Sequence, residues 1–254
     1  MTLAESIVRI KELLPTDLGS EELRQAFPAE ILRRSMFSAK MTYVPYLARL
    51  RDVCAEVAAG RLSDAMARSR LLEMLQQMGH SPLDGNVITN PASRKRLDLI
   101  IDTQRRMAFN AAKIAAQDEV TVAVAPAWEL TRFGERAVPR QNWPQRWAAA
   151  GFAVGWQGAL QGDRMIALKA SPIWQALGDG AGGFRDTLGN PYPPFAHGSG
   201  LGWMSILRDE CIELGLILPG EKVAVPQKPN LAPSQEEIDE AEARYDIDMT
   251  VEVP

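Results

Sequence analysis

The sequence predicts an α+β fold: a helical N-terminal half with one long helix, a small Trp-rich α+β module, and an extended acidic C-terminal tail. Three observations predict it. Apolar residues recur every three or four positions up to about residue 117, the period of helices lying on a core. Tryptophan is absent before Trp128, yet all six occur between there and Trp203, among short strand-like and helix-like stretches. Residues 1–118 carry 17 basic and 14 acidic side chains, residues 119–207 carry 7 and 6, and residues 208–254 carry 4 and 12. These shifts divide the chain into a helical domain at 1–119, an α+β module at 120–217, and a linker with acidic tail at 218–254.

The N-terminal "MTLAESIVRIKELL" reads as a short amphipathic helix rather than a signal peptide, because Glu5, Arg9, Lys11 and Glu12 interrupt its apolar run. Ser20 suits an N-cap, and Pro28 suits the first turn of a second short helix. From Thr42 to Ala59, Val44, Leu47, Leu50, Cys54 and Val57 mark a helix that Gly60 ends. Ser63 then caps a partner with Met66, Leu72, Leu75 and Met78 expected inward, closed by Gly79. So short a link predicts antiparallel packing of the two. The long helix runs from about Ser93 to Gln117. Leu97, Ile100, Ile101, Met107, Ala108, Ala111 and Ile114 are its expected core face, with Arg94, Lys95, Arg96, Arg105, Arg106 and Lys113 on its exposed face.

Within the module, "AWELTRFG" and "DRMIALKAS" read as strands, and "NWPQRWAAAG" and "SPIWQALGDG" as short capped helices, the first with Asn142 as cap and Gly151 as stop. "RDECIELGLI" reads as a helix ending at Gly215. Beyond the proline-spaced linker, "SQEEIDEAEARY" has the Ser234 and Glu237 of a capping box and predicts a last acidic helix.

Chemistry-bearing constellations are sparse. His80 and His197 are the two histidines, and neither has Cys, His or Asp at zinc-ligand spacing, so no metal and no cofactor are expected. Cys211 follows His197 by fourteen residues, which leaves a Cys–His nucleophile pair open beside the commoner reading of a buried helical thiol. Cys54 and Cys211, far apart in sequence, are expected as buried thiols rather than a bridge, as suits a reducing cytoplasm. "GDGAGG" at 178–183 lacks the lysine and hydroxyl of a phosphate-cradling loop, and Ser199 in "GSG" lacks nucleophile-elbow spacing. No apolar run approaches the ~20 residues that span a bilayer. The basic face of the long helix has two readings: solvation, or contact with an acidic partner or packaged DNA through Arg105 and Arg106.

The most distinctive stretch is "TLGNPYPPFAHGSGLGW" at 187–203. Pro191, Pro193 and Pro194 fix φ and hold the segment extended, so little entropy remains to be lost on docking. One reading makes it a cover for its own core. The reading preferred from sequence is a preorganised surface for a partner protein, built from Pro191, Tyr192, Pro193, Pro194, Phe195 and Trp203. On that reading, replacing Tyr192 and Phe195 with Ala leaves the isolated protein folded.

Four stretches carry a resemblance: "ILRRSMFSAKMTYVPYLARLRD", "LDLIIDTQRRMAFNAAKIAAQ", "PAWELTRFGERAVPRQNWPQRWAAAG" and "DRMIALKASPIWQALGDGAGGFRDTLGNPYPPFAHGSGLGW". In this order they resemble the minor head, or head-morphogenesis, proteins of Mu-like phages, a group of prophage-encoded virion proteins. Thr103, Ala108 and Asn110 match that family's long-helix motif, and Tyr192, Pro193 and Pro194 its proline-aromatic motif; the likeness spans roughly residues 30–215. Common members carry a cysteine-containing end after the proline motif, where this chain has "FAHGSGLGW". The resemblance implies a non-enzymatic structural protein of the bacteriophage virion, present in the host cytoplasm during assembly. Its implied partners at the portal vertex are portal and capsid proteins, with self-association and packaged DNA as further options and no membrane. A head–tail connector and a hydrolase or transferase using His197 and Cys211 stand as alternatives.

Overall fold

The computed structural model describes residues 1–133, 142–155 and 164–231. Trp156 and the acidic helix expected at 234–245 lie outside the described residues. The fold is α+β, and the chain forms two compact units whose boundary falls inside the long helix, Met1–Phe109 before it and Asn110–Pro229 after it. The expected boundary at 119/120 thus lies ten residues further on, and the second unit runs past residue 217 into the proline-spaced stretch.

In the first unit Thr2 caps α1 (Leu3–Arg9), its hydroxyl accepting from the Glu5 N–H at 3.1 Å. A two-residue strand β1 (Glu12–Leu13) follows, then α2 (Ser20–Ala26) and α3 (Ala29–Arg34). Gly19 holds the cap position of α2, one residue before the expected Ser20, and Pro28 caps α3. Strand β2 (Ser35–Met36) pairs in parallel with β1, Glu12 opposite Ser35 and Leu13 opposite Met36.

Helix α4 (Val44–Ala58) packs on α1 and on α5 (Asp64–Gln77). Gly60 and Gly79 end α4 and α5 with φ of +75° and +88°, a left-handed conformation that glycine adopts without penalty. Ser63 caps α5 as expected, accepting from the Met66 N–H at 3.3 Å. Of its expected inward face Leu75 is buried, Leu72 and Met78 are half-buried and Met66 faces solvent, while Ala67 and Leu71 pack inward beside Leu75. Glu5 anchors this unit, its carboxylate accepting from Arg61 at 2.8 and 2.6 Å and from Arg9 at 3.0 Å. The bonded Arg61 guanidinium lowers the carboxyl to about 2 against the opposing pull of burial, with Arg9 adding to it.

Helix α6 (Arg94–Ala115) follows a loop pinned by Asn90, and Ser93 caps it through the Arg96 N–H. Leu97, Ile101, Met107, Ala108, Ala111 and Ile114 are buried, as the periodicity predicts, and Ile100 is half-buried.

The second unit contains α7 (Glu119–Val124), capped by Asp118, and a three-stranded antiparallel sheet in the order β4 (Ile166–Leu168), β3 (Ala127–Arg132), β5 (Leu201–Ile206). Three short helices accompany it: α8 (Trp143–Ala153), α9 (Ile173–Gly178) and α10 (Arg208–Glu213). Gly151 does not stop α8; it is buried inside it, and the helix runs two residues further. Alternation along β3 sends Trp128 and Leu130 to one face of the sheet and Ala127 and Glu129 to the other. Ala127, Ile166, Ile206, Cys211 and Ile217 form an apolar cluster together. Leu130 lies opposite Trp203 in β5, which brings the end of the proline-aromatic stretch into the sheet itself.

Candidate functional site

The proline-aromatic segment lies inside its own unit. Tyr192, Pro193, Pro194, Phe195 and Trp203 are buried and Pro191 is half-buried, with no part of the Phe195 side chain reaching solvent. Phe195 lies parallel to Trp174, with centroids 6.3 Å apart, and Trp203 meets Trp174 edge-on at 5.3 Å. Trp147 packs on the same ring at 5.3 Å. Backbone contacts fix the segment: the Leu188 N–H donates to the Phe195 carbonyl at 3.0 Å, and the Asn190 side-chain amide donates to the Pro194 carbonyl at 3.2 Å.

The docking surface expected from sequence is therefore corrected: five of the six residues lie in the core, and Pro191 is half-buried at its edge. The physical reason is that the segment does not stay extended: Thr187 bridges Ala196 and closes it into a loop, which turns its aromatic side chains inward onto Trp128, Trp147 and Trp174. The indole N–H groups of Trp128, Trp143 and Trp203 are buried with no acceptor among the described residues, so ring packing rather than hydrogen bonding places them.

The arginines expected to meet DNA are engaged with carboxylates of their own unit. Arg105 donates to Asp102 at 3.0 Å and to Asp64 at 3.3 Å, and Arg106 donates to Asp102 at 2.8 Å. Burial alone would raise the Asp102 carboxyl, but Arg106 and Arg105 together hold it below its usual range. Arg96, expected in solvent, is buried instead, donating to the Ser38 hydroxyl at 2.8 Å and to the Ala39 carbonyl. Its fork finds those acceptors 57 and 58 residues away, which the helical period cannot anticipate.

His197 and Cys211 have opposite environments. His197 is exposed, whereas Cys211 is sealed in its apolar cluster, its thiol donating a long bond to the Ile206 carbonyl at 3.9 Å. Burial raises the thiol above its ordinary value, which disfavours the thiolate that nucleophilic chemistry needs. Cys54 is likewise free and buried, and burial takes its thiol up to about 12. Among the described residues no three His, Cys, Asp or Glu side chains gather as a metal would require, and no helix is long and apolar enough to cross a membrane.

Two features escaped sequence reasoning. One is a pair of buried lysines, each held by a glutamine: Lys11 donates to Gln104 at 2.8 Å, and Lys169 donates to Gln117 at 2.7 Å. Burial lowers both amines to about 8. The other is an exposed apolar group in the second unit: Val120 at 73 %, Val124 at 60 %, Leu207 at 59 % and Leu218 at 71 %. They belong to three segments tied together by Arg208, which donates to the Ala123 carbonyl at 3.3 Å and to the Glu221 carbonyl, and by Lys222, 3.7 Å from Glu119. The sequence hides it, because Val120, Val122 and Val124 alternate as in a strand, and only the helix separates exposed Val120 and Val124 from buried Val122. In the first unit a groove of about 450 Å³ between α4 and α5 is lined by Arg49, Asp52, Arg70 and Glu73, but Arg70 pairs with Glu56 and Asp52 with Arg9. Comparison of the chain with protein families, curated proteins and solved structures returns no match.

Proposed function

We propose that this protein is a structural component of a bacteriophage virion, a minor head or head-morphogenesis protein that associates with portal and capsid proteins. The observation that carries the reading is the apolar group of Val120, Val124, Leu207 and Leu218. Single apolar residues on a surface are ordinary, but these four stand on three segments that Arg208 joins, and a partner covering them gains by excluding water. The resemblance of the four stretches to the Mu-like minor head family supplies the kind of partner.

The docking role thus passes from the proline-aromatic segment to the surface around Arg208. Ile206 and Ile217, the chain neighbours of Leu207 and Leu218, are buried in the cluster with Ala127 and Cys211, and surface held rigid in this way loses less entropy when it binds. Chemistry at His197 and Cys211 has no part in this reading.

A photo-crosslinking side chain placed at Val120 in the intact virus tests it. Crosslinks in purified particles to portal or coat peptides are the expected result. Absence of the wild-type protein from purified particles overturns the proposal.

A further inference from the structure

Five side chains of the second unit close a ring around the C-terminal end of α6. Lys169, just past β4, donates to the Gln117 side-chain carbonyl at 2.7 Å. The Gln117 amide donates to the Lys113 carbonyl at 2.8 Å, and the Lys113 amine donates to the Trp203 carbonyl at 2.8 Å. Trp203 stacks on Trp128, and the Lys169 amine sits 5.4 Å from the centre of the Trp128 ring. The ring contains two amines and, among the described residues, neither amine has a carboxylate partner.

Lys169 is 2 % exposed. An ammonium has three N–H donors, and here it meets one acceptor and one aromatic face. A neutral amine keeps the Gln117 bond with a single N–H and leaves nothing charged in the core. The proton is therefore the costly part of the arrangement, and water outside is where it is best accommodated.

We propose that Lys169 is a proton-operated latch: taking up a proton loosens the attachment of the Lys113–Gln117 end of α6 to the tryptophan-bearing sheet. The charged and titratable groups that act on it are Lys113 from α6, whose cation opposes the proton, and Cys211 from α10, whose thiol stays protonated through burial. Burial, and then Lys113, bring the closed-state amine to about 8 from an ordinary 10.5.

The sign follows from linkage. Between about 8 and 10.5 the opened state holds the proton and the closed state does not, so opening grows rarer as pH rises. Below about 8 both states are protonated and the dependence disappears.

Amide hydrogen exchange of residues 110–120 in the full-length protein, corrected for intrinsic rates, reads the opening directly. The wild type is expected to open about tenfold less often per pH unit between about 8 and 10. Lys169→Met should lose most of that slope, the remainder coming from Lys113, whose amine burial also lowers, and Lys113→Met should keep the slope but start it at higher pH. A flat wild-type profile, or the same slope in Lys169→Met, overturns the latch. If Lys169→Met does not fold, Lys113→Met decides: an unmoved onset overturns the proposal, and an onset moved upward supports it.

Discussion

The indole of Trp203 lies flat on that of Trp128, centroids 3.8 Å apart and planes 11° from parallel. This contact joins neighbouring strands β5 and β3 and fastens the end of the proline-aromatic segment to the middle of the sheet. From it follows a changed expectation for every residue of that segment.

Tyr192→Ala and Phe195→Ala should each destabilise the second unit by about 3–5 kcal/mol, the range for removing a large buried aromatic. Urea unfolding followed by tryptophan emission measures this. Variants as stable as the wild type would show that the segment is not core, and would restore the expectation read from sequence.

Gly178 is fixed by a neighbour rather than by φ. A Cβ there would stand 1.9 Å from the Asn190 carbonyl oxygen, and the Gly189 N–H bonds the Gly178 carbonyl at 2.9 Å. Gly178→Ala must push the two backbone stretches apart, at a cost of about 1–3 kcal/mol or more. Loss of near-ultraviolet circular dichroism from the tryptophan cluster is the expected signature, and an unchanged spectrum would contradict the close approach.

Lys11 makes alkaline stability a test of the first unit. Burial lowers its amine to about 8 from 10.5, so the folded chain releases the proton first as pH rises. Stability should therefore increase between about 8 and 10.5, by up to about 3 kcal/mol for the whole shift. Cys54 opposes this above about 9, because its buried thiol keeps a proton that the unfolded chain loses. Lys11→Met should be more stable than the wild type at pH 7, with the gap closing as pH rises to 10. A pH-independent gap in denaturant midpoints would contradict the burial of a charged amine.

How far the sequence reaches differs from element to element. Helices α4, α5 and α6 were legible because their period is local and Gly60, Ser63 and Gly79 punctuate it. Strand β5 was not, since "LGWMSI" has a glycine and no strict alternation, and it becomes a strand by pairing with β3 some 70 residues earlier. Helix α7 was hidden in a short run of valines that reads equally as strand. The burial of Phe195 depends on Trp174 and Trp203, and that of Arg96 on Ser38, partners that no local pattern links. The course of a proline-fixed segment is likewise set by what waits on either side of it: the loop that Thr187 and Ala196 close is supplied only by the fold.

On the proposed function, the apolar side chains around Arg208 dock this protein into phage heads. Counting its copies per purified particle by quantitative mass spectrometry, for the wild type and for Leu207→Glu combined with Leu218→Glu, tests it most directly. Both positions are exposed, so stability should change by less than about 0.5 kcal/mol per substitution, while the copy number should fall at least about tenfold, the equivalent of 1.4 kcal/mol of lost binding. An unchanged copy number in a folded double variant would contradict the claim.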